Sequence, residues 1–537
     1  MSTEPVRPLL PLSTLHAIEP EILDAEILDE EGDSPVILVD IEHRVVTHTI
    51  ARLAANCPDL FQRAGVLVHV VAPVECGVMT NPPEIVEASN QWLRDQISRI
   101  AQYHVRTRQG WRISLVPEWL PGLVGSRRQF PGIRPLLAVI EAPAFLADGQ
   151  TLNASGYDPA SGLLLVSGAT PEPIKDEPTY EDAVQAVDEL LHVVADFPFS
   201  SDPSPEAHRA AWVAAVLTIV GRYAIDGPVP VFAVDASSQS SGKAKLVQVT
   251  HIIATGRSVT SMPCASDKEE LRRAVFPVLM QGRRVAWIDE VVSPFGGGAW
   301  NALTTAWPTY SDRVTRTSTT PELPALPSWI ISGNNIRFSE DTPRRTLLVR
   351  LEPMVDRPED RTGFEHPHLL QWVQEHQSRL LAAALTILRA YHVAGRPKVF
   401  NTTIGSFEVW DALIRQAVGW VMGVDPMGPK RAMSAVVDLR RRAWEDLVAE
   451  LWGVFGSGEF TARDAVVELS GSQVTEAGSM AVEELMGGKA ATARTFATTV
   501  LSAHRGVVAN GLRLEIANAH SNRGVVYRLV RLTGGAG

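Results

Sequence analysis

Cysteine is scarce in this chain of 537 residues. Cys57, Cys76 and Cys264 stand far apart without a Cys-x-x-Cys pair, which argues against a zinc ribbon or a disulfide framework and fits a reducing compartment, the cytoplasm. Long apolar runs are missing too. The longest, Ala210 to Val220, ends at Gly221-Arg222 and falls short of the ~20 residues a membrane-spanning helix needs, so no membrane partner is expected. Met1 to Pro20 lacks a basic stretch followed by an apolar core, so no export signal is visible. What is present, 45% apolar and 20% charged residues, is ordinary for a globular protein, and the length suits three or four domains of roughly 150 residues.

The formal net charge of −12 is unevenly spread. Residues 1–34 hold nine acids against one base, Arg7, and include the near-repeat Glu21-Ile22-Leu23-Asp24 and Glu26-Ile27-Leu28-Asp29. Without a visible core, this leader reads as a disordered segment able to dock a replication partner. Residues 489–537 hold seven bases against one acid, Glu515, and suit contact with phosphate.

Pro35 to Val46 and Gly65 to Ala72 are β-branched runs, and Ile85 to His104 has helical periodicity, so residues 35–170 read as an α+β domain. Pro171 to Pro178 reads as a linker, and the helical stretches Tyr180 to Ala195 and Pro205 to Tyr223 complete a region ending near 225. From 226 to 400 the pattern changes to an α/β core. Val229 to Val234 predicts a buried strand, Ser237 to Lys243 a loop of small residues, and Ala244 to Thr255 a helix closed by Gly256.

Phosphate binding at a strand-loop-helix junction needs small residues whose backbone N–H groups can wrap oxygens, and a lysine at the helix start. Ser237-Ser238-Gln239-Ser240-Ser241-Gly242-Lys243-Ala244 supplies most of this P-loop pattern. Ser237 replaces the usual first glycine and Ala244 the usual magnesium-binding hydroxyl, so the loop alone does not separate a nucleotide site from a plain turn. A second element does. Arg284 to Glu290 is an apolar strand ending in Asp289-Glu290, and in an additional-strand ATPase the first carboxylate holds Mg²⁺ while the second polarises water. A third strand, Pro327 to Ser332, runs into Gly333-Asn334-Asn335, where an amide would sense the γ-phosphate of ATP; Asx residues also simply make turns. Asp341-Thr342-Pro343-Arg344-Arg345 then offers paired arginines, suited to a finger on a neighbouring subunit's nucleotide or to a solvated basic turn.

From about Asp196 to Pro397 the chain resembles the superfamily 3 (AAA+) helicase domain of phage and plasmid primase–helicases. The supporting segments are Ala195 to Phe199, the P-loop, Trp287 to Glu290, Leu303-Thr304, Ser311 to Arg316, Gly333 to Asn335, Arg344-Arg345 and Arg357 to Arg361. The resemblance implies Lys243 as the phosphate lysine, Asp289 as the Mg²⁺ ligand, Glu290 as the base, Asn334 or Asn335 as the sensor and Arg344 or Arg345 as the finger. It further implies a hairpin at Ser311 to Thr320 with Arg313 or Arg316 facing DNA in a ring's pore, a hexamer being the expected ring.

Residues 401–455 read as a helical connector. Beyond it, Thr461 to Leu469 and Ala490 to His504 predict helices, while Gly511 to Ala517 and Gly524 to Leu532 predict strands. This order resembles a winged helix over 456–537, with Arg494, Arg505 and, near the wing tip, Arg523 placed for single- or double-stranded DNA. The N-terminal part resembles the domain preceding the helicase in prophage primase-type proteins, through Phe61 to Gly65, Pro131 to Arg134 and Gly156 to Asp158. Its Asp40-x-Glu42 pair, expected on a strand, lacks an evident third metal ligand, so a structural role is the expectation. The expectation for the whole is a DNA-dependent ATPase using ATP and Mg²⁺, assembled as a ring, that unwinds DNA for a mobile element. The alternatives are an ATP-switched replication initiator with little turnover and a bifunctional primase–helicase.

Overall fold

The computed structural model describes residues 36–71, 74–75, 78–79, 83–166, 172–265, 267–291, 294–311, 322–339, 341–353, 360–471, 474–487, 489–521 and 524–532. The chain forms two compact units, one ending at Pro429 and one beginning at Lys430.

The first unit opens with strand β1 (Val36–Val39) and helix α1 (Glu42–Asn56). The β-branched run to Val46 therefore leaves the strand early. Val45, Val46, Thr49, Ile50 and Leu53 are all buried, a helical spacing that buries one face of α1 and outweighs the strand preference of the valines. Asp40 consequently sits in a turn, its Oδ1 accepting from the Ile41 N–H at 2.5 Å, and Glu42 is the first helical residue. The pair does not lie on a strand. Next come β2 (Leu60–Arg63), β3 (Val66–Val71), β4 (Glu84–Glu87), α2 (Asn90–Ile100), β5 (Gln102–Thr107), β6 (Gly110–Ser114) and β7 (Arg134–Pro135). They form two sheets, ordered β1-β5-β6 and β4-β3-β2-β7. The helical periodicity from Ile85 yields only α2, because the Ser89 hydroxyl accepts from the Trp92 N–H and starts the helix there.

A Thr179–Asp182 capping box starts α3 (Tyr180–Val193), and α4 (Pro205–Val220) follows. Helix α4 is buried along nearly its whole length, which explains why its sequence is the longest apolar run. Strand β8 (Val231–Ala236), α5 (Lys243–Thr255), β9 (Ser261–Pro263), α6 (Lys268–Met280), β10 (Val285–Val291), β11 (Ser328–Asn334) and β12 (Thr346–Leu351) build the core. The five strands are parallel in the order β9-β10-β11-β8-β12. Burial on both faces suits the continuous apolar runs of β8, β10, β11 and β12. Helices α7 (Leu369–Glu375) and α8 (Gln377–Val393) close the core against α3 to α5.

Two buried arginines tie this unit together. Arg284 Nε, Nη1 and Nη2 donate to the carbonyls of Ile219, Ala254 and Val220, satisfying groups at the C-terminal ends of α4 and α5. Arg63 donates from Nη1 to the Met280 carbonyl at 2.9 Å, fastening β2 to the end of α6, and its burial lowers its pKa to about 10.

The second unit comprises α9 (Lys430–Phe455), β13 (Glu459–Thr461), α10 (Ala462–Leu469), α11 (Glu476–Met486), α12 (Ala493–Phe496), β14 (Val508–Ala509), β15 (Leu512–Ser521) and β16 (Gly524–Arg531). Trp444, Leu451, Phe460, Leu485, Phe496, Leu514 and Tyr527 share its core. The antiparallel sheet is ordered β13-β16-β15-β14. Helix α11, absent from the sequence-based expectation, is started by Thr475, whose hydroxyl accepts from the Gly478 N–H, and ended by Gly487 at φ 57°.

Candidate nucleotide site

The C-terminal ends of β8, β10 and β11 open into a cleft of about 1130 Å³. In parallel α/β sheets this end is where ligands bind, because loops leaving the strands diverge there and helices begin. The loop after β8 supplies Gln239 to Lys243, and α5 starts at Gly242 with no side chain capping it. Gly242 has φ 94°, and a Cβ on it would sit 3.1 Å from the Phe197 ring, so both backbone angle and space call for glycine. Ser240 also adopts φ 58°, and the Ser241 hydroxyl ties the loop by donating to the Ser238 carbonyl at 2.8 Å.

The Lys243 ammonium donates to Asn334 Oδ1 at 2.6 Å, with longer contacts to Ser238 O and Ser241 Oγ at 3.4 Å. Partial burial lowers its pKa, while the carboxylates of Asp235 and Asp289 act in the opposite direction. Asp289 and Glu290 both line the cleft. The β10–β11 pairing shifts register between Ile288 and Val291, and Glu290 stands at φ 53°. This bulge re-aims the two carboxylates instead of leaving them on opposite faces of a regular strand. Such a backbone costs on the order of 1–3 kcal/mol and is found mainly where function requires it. Asp289 Oδ1 accepts from the Ser332 hydroxyl and from the Glu290 N–H at 2.9 Å, which holds it in place.

The two adjacent amides part company. Asn334 lines the cleft and meets Lys243, whereas Asn335 donates to the Ser237 carbonyl at 3.2 Å and accepts from Arg350 Nη2 at 3.0 Å. Arg350 also ion-pairs with Asp235 and Glu352, and Asp235 accepts from the Ile336 N–H at 3.0 Å. Burial raises the Asp235 pKa against these partners. This network braces the loop from below. Sequence reasoning missed it, although an acid near the end of the otherwise apolar β8 was a usable signal.

Arg344 and Arg345 are outside the cleft lining. Both bond to Asp341, Arg344 with 75% of its side chain exposed and Arg345 with 19%. Arg313, Arg316 and Arg523 lie outside the described residues. Arg494 and Arg505 are exposed in the second unit, Arg494 on α12 and Arg505 in the turn beyond its continuation.

The cleft also has an apolar end, which meets the loop where Phe197 faces Gly242. Val193, Phe197, Pro353, Phe364, Pro367 and Leu369 line it. Asp196 clasps it shut by accepting from Arg361 and from the Glu365 N–H at 2.7 Å, and Arg361 lies over the Phe364 ring at 4.9 Å. His366 stacks on Trp372 at 4.0 Å, and its Nε2 is buried with no protein partner among the described residues. An apolar lining with aromatic rings and one buried polar atom, His366 Nε2, suits an aromatic base. Phe364 and His366 were not singled out from sequence, since nothing in a 123-residue separation from Lys243 to His366 signals proximity.

Among the described residues no group of three or more His, Cys, Asp or Glu is placed to hold a metal. The donor set nevertheless fits Mg²⁺, which binds through one or two carboxylates completed by water and substrate phosphates; Asp289 would provide the carboxylate, and Ala244 contributes no oxygen.

No family model matches the sequence, and no curated protein matches it. Among solved structures, the apo structure of the NrS-1 C-terminal region is similar at 10% identity and TM-score 0.38, covering 91% of this chain and 99% of that one. The active helicase Cch of SCCmec type IV gives 12% identity and TM-score 0.32, covering 87% and 91%. The JCV helicase gives 13% identity and TM-score 0.19, covering 45% and 67%. Superpositions this loose leave function to the cleft itself.

Proposed function

We propose that this chain is an ATP-hydrolysing DNA helicase or translocase of the superfamily 3 type, acting as a ring in the replication of a phage, prophage or plasmid. The observation that supports it most is the convergence, at one end of a parallel sheet, of Lys243, Asn334 and the bulged Asp289-Glu290 pair. The insertion of β11 between β8 and β10 is the extra strand that names the additional-strand class of ATPases. No helix among the described residues is long and apolar enough to cross a membrane.

In this reading the base of ATP enters the apolar end and the triphosphate lies over Gly242 and the start of α5. Lys243 exchanges its contact with Asn334 for β- and γ-phosphate oxygens, releasing the amide to report on the γ-phosphate. Glu290 orients and deprotonates the attacking water. Asp289 would hold Mg²⁺, which would supply neutralisation of the phosphate charge. Arg344, the more exposed of the two arginines, is the better finger, while Arg345 braces the turn through Asp341. Since Arg344 lies outside its own cleft, it would act on a neighbour's nucleotide, and closed rotational symmetry gives every site such a neighbour. In the second unit, β13, three helices and the β15–β16 hairpin support a DNA-binding winged helix presenting Arg494 and Arg505.

Ala244 favours one second reading, an ATP-switched replication initiator that binds nucleotide and turns it over slowly. Steady-state ATP hydrolysis with and without single-stranded DNA separates the two. A motor shows DNA-stimulated turnover that falls about 100-fold or more in Lys243→Ala. Tight binding without turnover establishes the switch instead. In mixed rings, a trans-acting Arg344 predicts partial rescue when Arg344→Ala is combined with Lys243→Ala; no rescue sinks the finger assignment.

A further inference from the structure

The N-terminal hairpin β5–β6 carries a surface that neither the cleft nor the second unit accounts for. Between Gln102 and Leu115 there is no acidic residue, but there are three arginines, Arg106, Arg108 and Arg112, all exposed. Among the described residues none of the three has an ion-pair partner. Tyr103 points inward, its hydroxyl bonding Thr49 of α1 at 3.0 Å. Alternation along a strand therefore sends His104 and Arg106 to the opposite, outer face. The register pairs Arg106 with Trp111 and His104 with Ile113, so Trp111 and Ile113 share that face. Trp111 is 40% exposed, Ile113 66% and Leu115, just beyond the strand, 81%. Arg106 lies across the pair from Trp111 and Arg108 sits at the turn, so cationic groups flank the tryptophan on two sides, while Arg112 lies on the other face of the edge strand.

Charges on an edge strand often only prevent sheet-to-sheet association. That role does not account for three large apolar side chains standing in solvent beside the arginines, which themselves promote association. Protein interfaces also enrich tryptophan and arginine, but without an acidic residue between Gln102 and Leu115 the guanidinium groups are left for an anionic partner, which favours a phosphate backbone. An aromatic ring flanked by unpaired guanidinium groups is instead the arrangement that stacks a base and neutralises its flanking phosphates.

We propose that the outer face and tip of the β5–β6 hairpin form a single-stranded nucleic-acid contact, with Trp111 stacking a base and Arg106 and Arg108 taking phosphates. The contact requires neither ATP nor the nucleotide cleft, so it stands or falls separately from the motor reading.

The test is binding of labelled oligothymidylate to the full chain without nucleotide, across a salt series, with the thermal melting temperature as a folding control. Trp111→Ala is expected to weaken binding about tenfold, with Trp111→Phe retaining most of it. Replacing Arg106 and Arg108 by glutamine should flatten the slope of log K against log salt by about 1.4, since each phosphate contact on a single strand contributes about 0.7. Ultraviolet crosslinking should give an adduct on the peptide containing Trp111. Unchanged affinity and slope in both variants, with no adduct there, overturn the proposal and assign the face to a protein partner or to the acidic leader.

Discussion

The two ends of the cleft are built differently. The polar end, which the proposed function gives to phosphate, comes from short motifs at the ends of three neighbouring strands: Gly242-Lys243, Asp289-Glu290 and Asn334. The apolar end, which the same proposal gives to the base, comes from Phe197 after α3 and from Phe364, His366 and Leu369 before and within α7, segments joined by the Asp196–Arg361 clasp. Charge chemistry tolerates few residue types, so the first end leaves a trace in sequence. A slot for a flat apolar group accepts many side chains, so the second does not. The difference predicts that lesions at the phosphate end act on turnover and lesions at the base end on affinity.

The largest effect is expected at Glu290. Glu290→Gln should lower kcat by roughly 10²- to 10⁴-fold while ATP binding survives, read by single-turnover hydrolysis beside equilibrium binding. Loss of binding to the same degree would mean that Glu290 serves the nucleotide and not the water. The neighbouring amides offer a sharper comparison. Asn334→Ala should cost about 10- to 100-fold in kcat with little change in melting temperature. Asn335→Ala, which removes the bonds to Ser237 and Arg350, should instead destabilise the fold by about 1–3 kcal/mol in denaturant titration. The reverse pattern would exchange their roles. At the base end, Phe364→Ala should raise KM for ATP about tenfold with kcat nearly unchanged. A fall in kcat alone would place the base elsewhere.

A pH effect on stability alone, with no bearing on turnover, lies at the far end of α5. His251 is buried, its Nδ1 bonded to the Arg257 carbonyl at 2.6 Å, and burial lowers its pKa from 6.5 to about 4. The unfolded chain takes up this proton more readily than the folded one. Stability is thus fully present above pH 6.5 and is lost as pH falls from 6.5 towards 4, by on the order of 3 kcal/mol. Thermal melts of wild type across that window, against a flatter His251→Gln profile, measure it.

Several sequence expectations correspond closely to elements of the structure. The β12 strand spans the expected residues, and α5 ends at Gly256, at φ 79°, where a left-handed glycine was expected to stop it. Others moved. The valines at 45 and 46 turned from strand to helix because α1 offered them a buried face. Helix α11 went unread because Gly478 and Gly487 punctuate its segment like a loop. The sequence left Asn334 and Asn335 equivalent, and the structure separates them by what each bonds.

By itself, the sequence determined the order of the core elements, which polar residues end the strands at the cleft and the uneven charge along the chain, because each depends on residue type and local period. Only the tertiary structure decided the insertion of β11 between β8 and β10, the bulge that aims Asp289 and Glu290, the brace of Asp235, Arg350 and Asn335, and the apolar end of the cleft. These arise from contacts between residues far apart in the chain, where burial and pairing set the geometry and no local pattern carries the information.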